Sequence, residues 1–318
     1  EVFEGMEKGL ARLTAPLHMF IHLLRGNTKK GSRLNIAAHY DLGNDFYELF
    51  LDETLTYSCN IFECHDSTLK EASLAKYHRI CQKLELSSQD HVVEIGSGWG
   101  GFAIYAAQKY GCRITTTTIS AAQHDLAKQR IDKAGVAHKV EVLLEDYRDL
   151  KGKYDKLVSI EMIEAVGHRY LDTFFRSCSN LLKEDGMMLL QAITMTDQVF
   201  ERHKRSVDFI KRYIFPGSCI PSIAAMSRSI AGASDLKLVH LEDITPHYAR
   251  TLRIWRERFF ANIDKVRDLG LPETFIRMWD YYLSYCEAGF AERYLGDVQI
   301  LLTKPLCRRP PLLAPLVT

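Results

Sequence analysis

Residues 92–107 read VVEIGSGWGGFAIYAA. An apolar, β-branched run enters a cluster of glycines and leaves it as helix formers, the pattern of a buried strand turning into a helix. Gly96, Gly98 and Gly101 satisfy G-x-G-x-x-G, a spacing that lets the backbone turn tightly and approach a ligand at a helix N-terminus. Alone, the motif is weak evidence. What surrounds it must say which ligand fits.

Downstream the alternation continues. Strand-like segments at 91–96, 113–120, 139–145, 154–162 and 186–194 are interleaved with helical ones at 101–110, 121–135 and 170–182. This predicts an α/β fold with a doubly wound, mainly parallel sheet. The rhythm breaks over about 195–237, which reads as a helical insertion covering the site, and 238–246 and 297–305 supply two further strands. Upstream, a helix is expected over about 69–86. Phe3, Met6, Leu10, Leu13, Leu17, Ile21 and Leu24 form an amphipathic stripe interrupted at Pro16. The chain thus divides into a helical segment 1–34, a main domain 35–305 and a Pro/Arg tail 306–318.

Composition narrows the class. With 318 residues, 47% hydrophobic and 25% charged, the chain can bury one large core. Forty-one Lys and Arg against 40 Asp and Glu leave a formal charge of +1, so no global field gathers nucleic acid and any membrane contact is local. The eight cysteines show no C-x-x-C and no metal-like grouping, which points to free thiols, a reducing cytoplasmic setting and no metal. No run reaches the roughly 18 to 20 apolar residues of a membrane span. No signal peptide is visible either, and an upstream portion before Glu1 can have been removed.

The cofactor follows from the strand ends. A nicotinamide fold needs an acidic residue about 20 positions past the glycines to hold the ribose; here TTTTIS puts Thr118 and Ser120 in that place. Glu94 lies two residues before Gly96, and Asp146 follows the third strand. A carboxylate there can accept the exocyclic amine of adenine, a combination that suits S-adenosylmethionine. Glu94 could instead be a solvated strand residue and Asp146 a helix cap.

Eight segments in order carry a resemblance: HYDLGNDFYELFLD, TYSCNIFE, VVEIGSGWGGFAIYAA, TTTTISAAQ, EDYRDL, SIEMIEAVGH, FIKRYIFPGSCIPS and HYARTL. Over about residues 35 to 303 the chain resembles the cyclopropane-fatty-acyl-phospholipid and mycolic acid cyclopropane synthases. The resemblance implies a class I, Rossmann-like methyltransferase fold. The activity it implies is transfer of a methylene unit from S-adenosylmethionine to a cis double bond of an unsaturated phospholipid acyl chain. It assigns Tyr57 and Ser58 to the methionine end of the cofactor and Gly96 and Gly98 to the turn beneath it. Thr118 and Gln123 fall at the ribose, Asp146 and Tyr147 at the adenine. A bicarbonate ion is implied as proton acceptor, held by the Cys59 backbone, Glu164, the Ile193 backbone and Tyr248. Gln191 stands where many bacterial members have His, and it can exchange hydrogen bonds but cannot titrate near neutrality.

Other readings compete. Cys59 could be a nucleophile, but it lacks a paired base in sequence. Glu161, Glu164, Asp41 and Asp45 could be capping residues, Tyr248 a core aromatic, His39 and His247 packed ones. ARTLRIWRERFF (249–260) and ERHKRSVDFIKRYIF (201–215) mix arginines with aromatics, as segments at a lipid headgroup boundary do, or else present solvated helix faces. The chain is therefore expected to be peripheral to membranes, and a homo-oligomer is compatible with it. The rival functions are a coclaurine-type amine N-methyltransferase, a lipid C-methyltransferase without ring closure, a non-catalytic lipid-binding module and a nicotinamide oxidoreductase.

Overall fold

The computed structural model describes residues 27–29, 31–32, 35 and 42–312. The expected stripe over 1–26, His39 and Asp41 lie outside the described residues. A short helix α1 (Asn44–Glu48) and a longer α2 (Leu69–Lys83) precede the sheet. α2 opens on a capping box, in which Thr68 accepts from the Glu71 N–H and the Glu71 carboxylate accepts from the Thr68 N–H. Its buried face carries Leu69, Ala72, Ser73, Lys76, Tyr77, Ile80, Cys81 and Lys83, the three-and-four spacing of an amphipathic helix with two lysines inside it.

The parallel half then follows: β1 (His91–Ile95), α3 (Gly101–Lys109), β2 (Arg113–Thr118), α4 (Ala121–Lys133), β3 (Val140–Leu144), β4 (Tyr154–Ile160), α5 (Ile163–Val166), α6 (Leu171–Leu181) and β5 (Leu182–Met195). β5 starts at Leu182 rather than 186. Its pairing with β4 jumps from Tyr154↔Leu182 to Lys156↔Met187, so the polar residues between bulge out of the ladder. Next come α7 (Asp197–His203), a π-helical turn (Ile210–Ile214), α8 (Ile223–Ala233) and β6 (Lys237–Asp243). Finally α9 (Thr245–Ala261), α10 (Ile263–Asp268) and α11 (Glu273–Ala291) lead into β7 (Leu295–Thr303).

The strand order is β3-β2-β1-β4-β5-β7-β6. β7 runs antiparallel to both its neighbours and the β1, β2, β3, β4 and β5 pairings are parallel, the expected doubly wound sheet. Strand order reverses between β1 and β4, so the crevice for a ligand opens beyond their carboxyl ends.

Besides the cores on the sheet, a third cluster joins α1 to α9 and α11 through Phe46, Phe50, Trp255, Phe259 and Trp279. Phe46 meets Trp279 edge-on with centroids 5.0 Å apart. Of the aromatics in 249–260, Trp255 and Phe259 are buried here, while Phe260 is exposed with the Arg256 guanidinium over its ring. The arginines of that segment are occupied within the protein: Arg250 binds the carbonyls of Cys64 and His65, Arg253 binds Glu287, Arg256 binds Asp280 and Arg258 binds the Leu51 carbonyl. All eight cysteines are free. Among the described residues no helix is long and apolar enough to cross a membrane, and no cluster of His, Cys, Asp and Glu is placed to hold a metal.

Candidate active site

At the end of β1 the chain turns through Gly96 (φ 97°) and Gly98 (φ 49°), both left-handed, with the Gly96 and Ser97 N–H groups donating to the Thr117 carbonyl. Nothing lies within 4 Å of where a Cβ on Gly98 would stand, so the turn faces open space. Gly101 serves packing instead: a Cβ there would come within 2.6 Å of the Thr54 carbonyl and the Tyr77 hydroxyl. The turn opens on a cavity of about 330 Å³. Tyr57, Ser58, Glu94, Gly96, Gly98, Thr118, Gln123, Asp146 and Tyr147 line one part of it, and Glu161, Glu164, Ile193 and Tyr248 another. Cys59 and Gln191 are buried without lining the cavity.

Sheet register sets the first part. Glu94 pairs across β1 and β2 with Thr116, whose hydroxyl donates to Glu94 Oε2 at 2.6 Å. Glu94 is buried rather than solvated, and burial pushes its carboxyl up to about 8. Thr118 donates to Gln123 Oε1 at 2.9 Å, and Ser120 caps α4. Tyr147 packs edge-on against Phe174. The Asp146 carboxylate is not a helix cap: Arg148 grips it with Nε on Oδ1 at 2.8 Å and Nη2 on Oδ2 at 2.7 Å. Burial alone would raise this carboxyl, but the Arg148 fork holds it below its usual range. Ser58 accepts from the buried Lys76 Nζ at 2.6 Å, and the Tyr57 and Tyr282 hydroxyls lie 3.0 Å apart.

The second part is built around Glu161, one residue past β4. Its backbone is left-handed, φ 47°, which costs a non-glycine residue about 1–2 kcal/mol. Three donors hold its carboxylate. Oε1 accepts from the Cys59 N–H at 2.8 Å and from Gln191 Nε2 at 2.8 Å, and Oε2 accepts from the Tyr248 hydroxyl at 2.6 Å. Gln191 is oriented in turn: its Oε1 accepts from Gln299 Nε2 at 3.0 Å, and Gln299 Oε1 accepts from Lys83 Nζ at 2.7 Å. Lys83 also binds Glu242 at 2.6 Å. Register places Ile160, Gln191, Gln299 and Glu242 side by side across β4, β5, β7 and β6, so that the last three form a polar row.

Glu164 Oε1 accepts from the Ile193 N–H at 2.6 Å. Burial, and after it the charge of Glu161, pushes the Glu164 carboxyl up to about 8. The same two causes raise Asp297 well above the carboxylate range. Burial likewise keeps the Cys59 thiol protonated and the Tyr248 phenol neutral, which leaves Cys59 no thiolate with which to act as a nucleophile. Lys76 brings a cation into the same neighbourhood; burial lowers it to about 8 against the pull of Glu161 and Asp297. Of the groups the resemblance assigns to bicarbonate, the Cys59 N–H and the Tyr248 hydroxyl thus donate to Glu161, and the Ile193 N–H donates to Glu164.

Lys76, Lys83, Arg148, Asp297 and Gln299 were not singled out by the sequence reading. Lys76 had a signal, a cation three residues after Ser73 and one before Tyr77 on the apolar face of a helix. Gln299 and Asp297 had another, polar residues on the inward positions of an apolar strand.

A mainly parallel sheet in this order, with a glycine turn after β1 and helices on both faces, is the class I, Rossmann-like methyltransferase fold. The profile of the mycolic acid cyclopropane synthetase family matches residues 27–300, and the chain belongs to that family. It is 41% identical over 87% of its length to the tuberculostearic acid methyltransferase UfaA1 of Mycobacterium tuberculosis, spanning 66% of that protein. It is 38% identical over 87% of its length to the cyclopropane-fatty-acyl-phospholipid synthase of Escherichia coli, spanning 69% of it. Among solved structures, the mycolic acid cyclopropane synthase CmaA1 in complex with SAH and CTAB superposes with a TM-score of 0.80 at 33% identity, covering 86% of this chain and 98% of that one.

Proposed function

We propose that the chain transfers a one-carbon unit from S-adenosylmethionine to a cis double bond of a phospholipid acyl chain and closes it to a cyclopropane ring. The observation that carries this reading is one cavity running from the glycine turn to a held carboxylate, walled by Ile193, Phe215, Leu252 and Phe290. An alkene is a poor nucleophile and its alkylation leaves a cation, so the reaction needs near-attack geometry, exclusion of water and a proton acceptor close by. An amine acceptor would need far less.

When bound, S-adenosylmethionine supplies an electrophilic methyl group. Tyr57, Ser58 and the Gly96–Gly98 turn would fix its amino-acid end, and Thr118, Gln123, Asp146 and Tyr147 its nucleoside. Tyr248, stacked on Phe290 with centroids 4.2 Å apart, keeps the reacting end dry. A second reading, methylation without ring closure, is favoured by the likeness to a tuberculostearic acid methyltransferase.

We infer peripheral docking through the 201–215 segment. Ile210, Lys211 and Phe215 line the cavity, while Tyr213 is 51% exposed with the Arg212 guanidinium over its ring.

The deciding experiment incubates the chain with unsaturated phospholipid vesicles and S-adenosylmethionine, then examines the acyl chains by mass spectrometry and proton NMR. A gain of one CH2 (about 14 Da), loss of olefinic protons and new upfield ring protons establish cyclopropanation. The same mass gain with an exomethylene signal selects the second reading. Unchanged lipid beside a methylated amine overturns both.

A further inference from the structure

We propose that Glu161 is the proton acceptor of this reaction, a base carried by the polypeptide in place of a dissolved anion. The proposal rests on the lipid-alkylation reading above. Its geometric ground is that Glu161 lines the cavity while three donors from three other parts of the chain converge on its carboxylate.

A carboxylate offers about four lone-pair positions. Cys59, Gln191 and Tyr248 occupy three, and the Asp297 carboxyl is hydrogen-bonded to the same group, which fixes it. The neighbouring acids are poor alternatives, because burial favours the protonated forms of Glu94, Glu164 and Asp297. The left-handed backbone of Glu161 is the third observation. A strained residue at a strand end, its N–H bonded to the Gln191 carbonyl at 2.9 Å and its side chain held by three donors, is a common mark of a working position.

The step balances within the site. The alkene π pair forms the new C–CH3 bond as the sulfur–carbon pair leaves with sulfur, and the adjacent chain carbon becomes cationic. One C–H bond of the new methyl then breaks. Its proton goes to Glu161, and its electron pair forms the bond that closes the ring. Glu161 ends as a neutral carboxylic acid and returns the proton to water on product release.

The test compares wild type, Glu161→Gln and Glu161→Gly in carbon-dioxide-free buffer, with and without added bicarbonate or acetate. S-adenosylmethionine affinity and circular dichroism serve as controls for folding; glycine suits the left-handed backbone, so that variant relieves strain. Wild type is expected to run equally fast with and without bicarbonate. Glu161→Gln should lose at least about a hundredfold in turnover, and Glu161→Gly should lose as much and regain activity saturably with either anion. Wild-type turnover that stops without bicarbonate and returns with it, or a Glu161→Gln variant above half of wild-type activity, would overturn the proposal.

A titration of ¹³C-bicarbonate followed by NMR separates this question from the lipid reading. Saturable broadening with Glu161→Gly and none with wild type supports Glu161 as the occupant of the anion site; broadening with wild type that matches the variant overturns it. Absence of lipid product from wild type in every buffer removes the reaction and with it the base, an outcome the titration does not mimic.

Discussion

The Tyr248 hydroxyl, on α9, donates to Glu161 Oε2 at 2.6 Å, tying a helix that lies between β6 and β7 to the end of β4. A hydrogen bond to a charged group contributes about 1.5–3 kcal/mol. Tyr248→Phe is therefore expected to lower kcat by roughly ten- to a hundredfold while S-adenosylmethionine binding by calorimetry is unchanged. Equal turnover by variant and wild type would remove Tyr248 from the site's function.

The polar row across the sheet makes a prediction at a distance. Lys83 touches no cavity residue in the row, yet it fixes the Gln299 amide, which fixes that of Gln191, which presents its N–H2 to Glu161. Lys83→Met frees the Gln299 amide to flip, which turns its donor away from Gln191 Oε1. Turnover should fall about tenfold with KM for lipid unchanged, and Lys83→Arg should recover part of it. A fall in KM and kcat together, or no recovery, would point to general damage instead.

Buried carboxyls make the folded chain sensitive to alkali. Glu94 and Glu164 are each raised from 4.5 to about 8, so between those values the folded state binds more protons than the unfolded one. Their contribution to stability is full below 4.5 and is lost as pH rises through 8. Urea midpoints should be lower at pH 8 than at pH 5. The gap should narrow in Glu94→Gln and in Glu164→Gln, and further in the double variant. A gap of unchanged size would contradict the protonated assignment.

Vesicle binding distinguishes the two arginine-rich segments. Arg212→Ala and Tyr213→Ala should weaken co-sedimentation with anionic vesicles, the arginine effect fading in high salt. Arg253→Ala, which among the described residues breaks the pair with Glu287, should leave binding unchanged. The reverse pattern would assign docking to 249–260 instead.

How far this was legible in sequence depended on how local each feature is. The strands around VVEIGSGWGGFAIYAA and the glycine turn follow from short-range patterning, and the structure keeps them within a few residues. The pattern for α11 is weaker in sequence, although Ile276, Trp279, Leu283 and Phe290 recur at helical spacing and are buried; their partner surface on α1 lies some 230 positions away and is set only by folding. Arginines near Trp255 and Phe259 suggested a headgroup boundary because composition does not tell an outward aromatic from an inward one. Glu161 was visible as a residue, but its role depends on donors from Cys59, Gln191 and Tyr248, which only tertiary structure brings together. Lys83 and Gln299 belong to the same class, since strand register makes them neighbours.

The left-handed backbone at position 161 has a consequence for how such a site can change over generations. Glycine sits there without strain and empties the cradle. Glutamate carries the strain and offsets it with three hydrogen bonds. Alanine or valine would bear the strain with nothing in return, so intermediates of graded size are disfavoured. Glutamate and glycine codons differ at a single base. A lineage can therefore pass between an internal base and a borrowed one in one mutational step, leaving the surrounding donors in place.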